Sequence, residues 1–175
     1  MFYNCWALTT PPELPMMTLG TSCYESMFSG AGIMTAPKLP ATNLASHCYQ
    51  SMFDHTPIIK PPELPAETKA TYCYNNMFHN CTSLTQAPKL PAMTLAVQCY
   101  QNMFTGCTSL TQAPELPAET TATNCYAYMF SGCTSLTQAP ELPAMTLTSN
   151  CYMYMFRGCT SLTQAPELPA TTLVS

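Results

Sequence analysis

LPAMTLAVQCYQNMFTGCTSLTQAPE, residues Leu90 to Glu115, is the stretch whose reading decides the fold. It recurs along the chain with few changes. CTSLTQAP appears four times verbatim, starting at Cys81, Cys107, Cys133 and Cys159. Cys-Tyr returns at a near-constant interval, at Cys23, Cys48, Cys73, Cys99, Cys125 and Cys151. Met-Phe returns in step at Met27, Met52, Met77, Met103, Met129 and Met155. A fixed period of this length marks a stacked repeat architecture.

Within the unit, Thr94 to Gly106 reads as a helix. Leu95, Cys99 and Met103 fall at i, i+4, i+8, with Tyr100 and Phe104 beside them, which is one apolar face at helical period. Thr94 would cap the start, and Gly106 would end the helix in a left-handed conformation. Gly30, Gly132 and Gly158 hold the same phase, with Asn4, Asn80 and the less suited His55 standing in. Asn is the next-best residue for positive φ. Leu84, Leu110, Leu136 and Leu162 mark a short parallel strand near residues 83–87, closed by Pro88, which has no N–H for a ladder. The expected fold is α/β: a leucine-rich-repeat-like solenoid of 25–26-residue strand–turn–helix units, a short parallel sheet on one side and helices on the other. It fills residues 1–175 as one solenoid of about six and a half repeats without separate caps. Stacking would align Leu on Leu, Met on Met and Phe on Phe into one core.

The pattern MFxGCTSLTxAPxLPATxLxxxCY resembles the BspA-like leucine-rich repeats of bacterial surface proteins, and the likeness runs from Met1-Phe2 to Leu173. The resemblance implies a solenoid that binds proteins or mediates adhesion at a cell surface or outside the cell. The N-terminus lacks a basic segment followed by an apolar one, so a cytoplasmic location stays open.

Composition narrows the function. Charged residues are 8% of the chain, against roughly 25% in an average protein. A net charge of −4 with Arg157 as the only arginine argues against nucleic acid. No apolar run reaches the roughly 18 residues of a membrane span. Three histidines, His47, His55 and His79, share no phase of the repeat. Asp54 is the only aspartate and neighbours His55, which does not make a triad, so no enzyme, cofactor or metal site is expected. The eleven cysteines contain no Cys-x2-Cys pair. They read as buried thiols, with inter-repeat disulfides as the alternative. A Cys99–Cys107 bridge is disfavoured, because eight helical residues would separate the two by about 12 Å. The Met-Phe columns read as core, with Tyr hydroxyls at the core edge. Asn80-Cys81-Thr82 fits a glycosylation sequon, a weak signal at a position already read as the helix stop.

Two places remain for partners. The pairs after Cys-Tyr vary while their surroundings stay constant, which marks Asn75, Asn76, Gln101, Asn102, Tyr128, Met153 and Tyr154, with nearby Arg157, as a candidate binding surface. Solvent-exposed drift is the alternative explanation. The position before Leu-Pro reads Glu13, Lys38, Glu63, Lys89, Glu115, Glu141 and Glu167, alternating in sign and then acidic. Phe2, Trp6 and Leu8 at one end and Leu162, Leu168 and Leu173 at the other are candidate end-to-end contacts. The function expected is therefore a non-catalytic protein-binding or adhesion scaffold. The alternatives are a rod-forming end-to-end homo-oligomer and, more weakly, an intracellular protein inhibitor.

Overall fold

In a computed structural model, described for residues 1–67 and 70–174, the repeats stack in parallel, but none of the described residues forms an α-helix. The α/β expectation is corrected by the backbone of the Cys-Tyr segment. Positive φ recurs at every fourth residue: Gln98 at 55°, Asn102 at 55° and Gly106 at 74°. The other repeats share the pattern, as at Tyr72, Asn76 and Asn80. An α-helix needs φ near −63° throughout, so no helix survives three such residues. Asn4, Asn80 and His55 do adopt positive φ with the four phase-matched glycines. They close the last in a run of tight turns rather than a helix.

The hydrogen bonds show what replaces the helix. The N–H groups of Cys99, Met103, Thr105 and Cys107 donate to the carbonyl three residues back, at 3.0 to 3.3 Å. Those of Tyr100, Asn102, Phe104 and Gly106 donate instead to Cys125, Ala127, Met129 and Ser131 in the next repeat, at 2.8 to 3.0 Å. Alternate donors thus close turns and zip neighbouring repeats together. Helical i→i−4 bonds would have kept every donor within its own segment. The burial follows a four-residue beat, two in and two out: Cys99 and Tyr100 in, Gln101 and Asn102 partly out, Met103 and Phe104 in.

The strand is also shorter than expected and mostly elsewhere. In the 83–87 region only Gln86 pairs, with Gln112, which pairs in turn with Gln138. The two named strands, β1 (Thr146–Leu147) and β2 (Thr172–Leu173), lie where the helix was to begin, in parallel register Thr146↔Thr172 and Leu147↔Leu173. Isolated parallel bridges Thr18↔Asn43 and Thr120↔Thr146 continue this line, whereas Thr35↔Lys60 falls in the line of Gln86 and Gln112. The prolines of the P-x-L-P turns interrupt any longer ladder, because each lacks an N–H.

The core is a set of columns. Phe28, Phe53, Phe78, Phe104 and Phe130 are fully buried, as are Met52, Met77, Met103 and Met129. Neighbouring Phe rings from Phe2 to Phe156 stack with centroids 5.6 to 5.9 Å apart and planes within 10° of parallel. That spacing is the offset arrangement aromatic pairs prefer. Ile33, Ile58, Leu84, Leu110 and Leu136 make a second fully buried column. The Leu-Pro leucines, from Leu14 to Leu142, make a third.

Candidate interaction surface and side-chain clusters

The positions that vary between repeats occupy the outer half of each tight turn. Their chemistry changes along the stack. In the middle they satisfy one another: Asn75 Nδ2 donates to Gln101 Oε1 at 3.0 Å, Gln98 Nε2 donates to the same oxygen at 2.7 Å, and Asn76 Nδ2 donates to Asn75 Oδ1. Asn75 is only 4% exposed, so this member of the candidate surface is an internal strut. Asn76, Gln101 and Asn102 are half-buried, and Asn76 and Asn102 hold positive φ. Toward the C-terminal end the amides give way to aromatic groups. The Tyr128 and Tyr154 rings lie 5.2 Å apart, tilted by 32°. The Arg157 guanidinium carbon lies 5.9 Å from the Tyr154 ring centre, within cation–π range. Tyr154 is 59% exposed, Arg157 is exposed and Met153 is half-buried.

Another part of the surface carries the P-x-L-P turns. Consecutive turns leave a row of shallow clefts of about 330 to 430 Å³, each rimmed by residues of the Glu/Lys column such as Glu115 and Glu141. Among the described residues the ion pairs join Asp54 to His55 and His79, not Glu to Lys along this column.

The interior tyrosines of the Cys-Tyr pair are not at the core edge, whereas Tyr24 and Tyr152 near the two ends are half-buried. Tyr49, Tyr74, Tyr100 and Tyr126 are at most 2% exposed and stack ring on ring at 5.7 to 5.9 Å. The second cysteine column has a defined task. Cys107 Sγ donates to the Phe78 carbonyl of the preceding repeat at 3.0 Å, Cys133 to Phe104 at 3.1 Å and Cys159 to Phe130 at 3.0 Å. Each of these carbonyls also accepts an N–H from three residues on. The thiol thus fills a second lone pair that burial hides from water. Cys81 does the same toward Phe53 at 3.0 Å, whereas Thr56, which stands in this column, donates its hydroxyl to Phe53 of its own repeat at 2.8 Å. Cys107 is a thiol aimed at a carbonyl, not half of a bridge to Cys99. Desolvation raises the Cys48 pKa to about 11 and those of Cys81 and Cys125 to about 12, so these thiols stay protonated and unreactive.

A family model for the BspA-type leucine-rich repeat region matches six copies, over residues 1–137 and 97–171. The chain belongs to the BspA-type leucine-rich-repeat family. No curated protein and no solved structure matches it. The Cys-Tyr segment of the BspA-type repeat is thus a run of tight turns in this chain, with a residue of positive φ at every fourth position. Among its described residues, no helix is long and apolar enough to cross a membrane.

Two further groups of residues stand out in this BspA-type stack. At its ends, Trp6, Leu168 and Leu173 are 83%, 61% and 83% exposed, whereas Phe2, Leu8 and Leu162 are half-buried. In its first half, Asp54, His55 and His79 converge. Both imidazole Nδ1 atoms contact Asp54 Oδ1, at 2.7 and 2.8 Å. Burial pushes the Asp54 carboxyl up, but hydrogen bonds and positive charge from the two histidines outweigh it and hold the carboxyl below its ordinary value. Sequence reasoning dismissed these residues because the histidines share no phase. The signal was there in another form: Asp54-His55 and His79-Asn80 lie one repeat apart at matching positions, so they must stack.

Proposed function

We propose that this BspA-type stack is a non-catalytic protein-binding scaffold, of the adhesive kind found on bacterial surfaces. Its contact residues are Tyr128, Met153, Tyr154 and Arg157. The observation that carries the reading is the exposed Tyr154 ring, with the Tyr128 ring 5.2 Å and the Arg157 guanidinium carbon 5.9 Å from it. Tyr and Arg are enriched at the energetic centres of protein interfaces, Tyr because it brings large contact area at low entropic cost and Arg because its planar guanidinium donates several hydrogen bonds and stacks on rings. The inter-repeat hydrogen bonds fix the backbone beneath them, so binding has little left to order. Family membership supports the scaffold role. The test is capture of partner proteins from intact cells by the immobilised chain, repeated with Tyr154→Ala and Arg157→Ala. Each substitution should weaken the principal complex by about 2 kcal/mol or more, as hot-spot truncations do. Asn76→Ala, on the amide-rich part, should leave it unchanged. Capture that survives both C-terminal substitutions sinks this assignment.

End-to-end association is a second reading, favoured by the exposed Leu173 and by a cleft of about 520 Å³ lined by Tyr152, Phe156 and the exposed Leu168. A head-to-tail contact would not close and would build rods. Sedimentation over a hundredfold range of concentration tests it: a growing size supports rods, and a constant monomer removes them.

A further inference from the structure

We propose that Asp54, His55 and His79 form a binding site for a divalent transition-metal ion of the zinc class. The three come from two adjacent repeats at matching positions. Asp54 stacks on His79, and His55 on Asn80, in a register held by the His55 N–H to His79 carbonyl bond of 2.9 Å and the Phe53 to Met77 bond of 3.0 Å. The backbone under the site is therefore fixed before any ion arrives. Elsewhere this pair of positions reads Ser29-Gly30, Thr105-Gly106, Ser131-Gly132 and Arg157-Gly158, which offer no imidazole or carboxylate. The only aspartate of the chain and two of its three histidines thus meet at one point. His55 does so with φ of 56°, at a place where the other repeats use glycine or asparagine.

The donor atoms suit such an ion. His55 Nδ1, His79 Nδ1 and Asp54 Oδ1 all lie within 4.8 Å of one another. A tetrahedral ion with bonds of about 2.0–2.2 Å sets its ligand atoms about 3.4 Å apart. The present 2.7 and 2.8 Å contacts need only open slightly, and these side chains are partly exposed and have room to turn. Imidazole and carboxylate together favour zinc, cobalt, nickel or copper over calcium or magnesium. The site also has an outer partner. Asn80 Nδ2 lies 3.0 Å from His55 Nε2. Without metal, Nε2 accepts from this amide while Nδ1–H donates to Asp54. With metal on Nδ1, the proton moves to Nε2, and the Asn80 amide turns its oxygen to accept it. That is the usual support for a metal-bound imidazole. Three protein ligands leave a fourth position for water.

The experiment is equilibrium dialysis of the reduced, metal-free chain against zinc chloride near neutral pH, using a Cys5→Ser, Cys23→Ser background to remove the exposed thiols. One ion per chain is expected. Asp54→Asn and His79→Ala, separately, should each weaken binding tenfold or more while leaving the thermal midpoint of the metal-free chain close to its starting value. Cobalt in place of zinc should give visible bands of a four-coordinate nitrogen and oxygen site with no thiolate charge-transfer band. Absence of bound zinc, retention of full affinity in both variants, or a thiolate band would each overturn the proposal.

Discussion

The rings of Phe78 and Phe104 lie 2° from parallel with centroids 5.7 Å apart, although they belong to different repeats. The register that sets them so is made by the backbone: Phe78 N–H donates to the Met103 carbonyl at 3.0 Å. Each ring is fully buried and has a Phe neighbour above and below. Phe104→Ala should therefore cost roughly 3–5 kcal/mol, the range for a core aromatic. It would open a gap in the middle of the column. Phe156→Ala, at the half-buried last ring, should cost distinctly less. Urea midpoints of the two variants check the order, and equal losses would contradict the column.

Substitutions at Asn124 separate the turn fold from a helix. Its φ is 54°. Asn124→Gly should be neutral or stabilising, whereas Asn124→Ala should cost roughly 1 kcal/mol, because alanine keeps the Cβ strained at positive φ but lacks the short polar side chain whose local hydrogen bonds let asparagine tolerate it. In a helix the order would reverse, since Gly there loses to Ala by about that amount. The far-ultraviolet circular dichroism of the unmodified chain should lack the helical double minimum.

Gly106 and Asn80 form a coupled pair. Gly106 has φ of 74°, and a Cβ on it would overlap Asn80 Oδ1. Gly132 has φ of 76° but faces only Gly106, at 3.6 Å. Both alanine variants bear the backbone strain, and only Gly106→Ala also displaces a side chain. Gly106→Ala should thus be the more damaging of the two. Adding Asn80→Gly should recover the difference, and a double-mutant cycle reads the coupling. Strict additivity would show that the overlap has no energetic weight.

The buried thiols set an alkaline limit. Desolvation lifts Cys125 and Cys81 from 9.0 to about 12. A folded state with the higher pKa keeps its proton longer than the unfolded chain. Its stabilising contribution is complete below the unfolded value of about 8.5 and is lost as pH rises toward the folded value. The urea midpoint should hold steady from neutral pH to about 8.5 and then fall. Cys125→Ala should flatten part of that fall. A thiol reagent at neutral pH should label exposed Cys5 and Cys23 quickly and buried Cys81, Cys107, Cys125 and Cys133 only on unfolding.

The sequence by itself determined the period, the columns and the family. A near-constant repeat length places Phe over Phe and Tyr over Tyr, and a register shifted by one residue would bring apolar columns against polar ones. Positive φ at Gly106, Asn80 and Asn4 was also legible, because few residues other than Gly and Asn favour it. Only the tertiary structure decided what lies between those points. A four-residue turn advances about 90° per residue and a helix about 100°. From Cys99 to Gly106 the two patterns of inward side chains nearly coincide. The choice falls to the hydrogen bonds. A helix satisfies its own N–H groups, whereas here every second donor, such as Tyr100 to Cys125 at 3.0 Å, is satisfied by another repeat. Such a partner exists only once the units have stacked. The same stacking joined Asp54 to His79 and set Tyr128 against Tyr154. It also moved Asn75 from the expected binding surface into the interior. Packing between repeats, which period alone leaves open, fixes those positions.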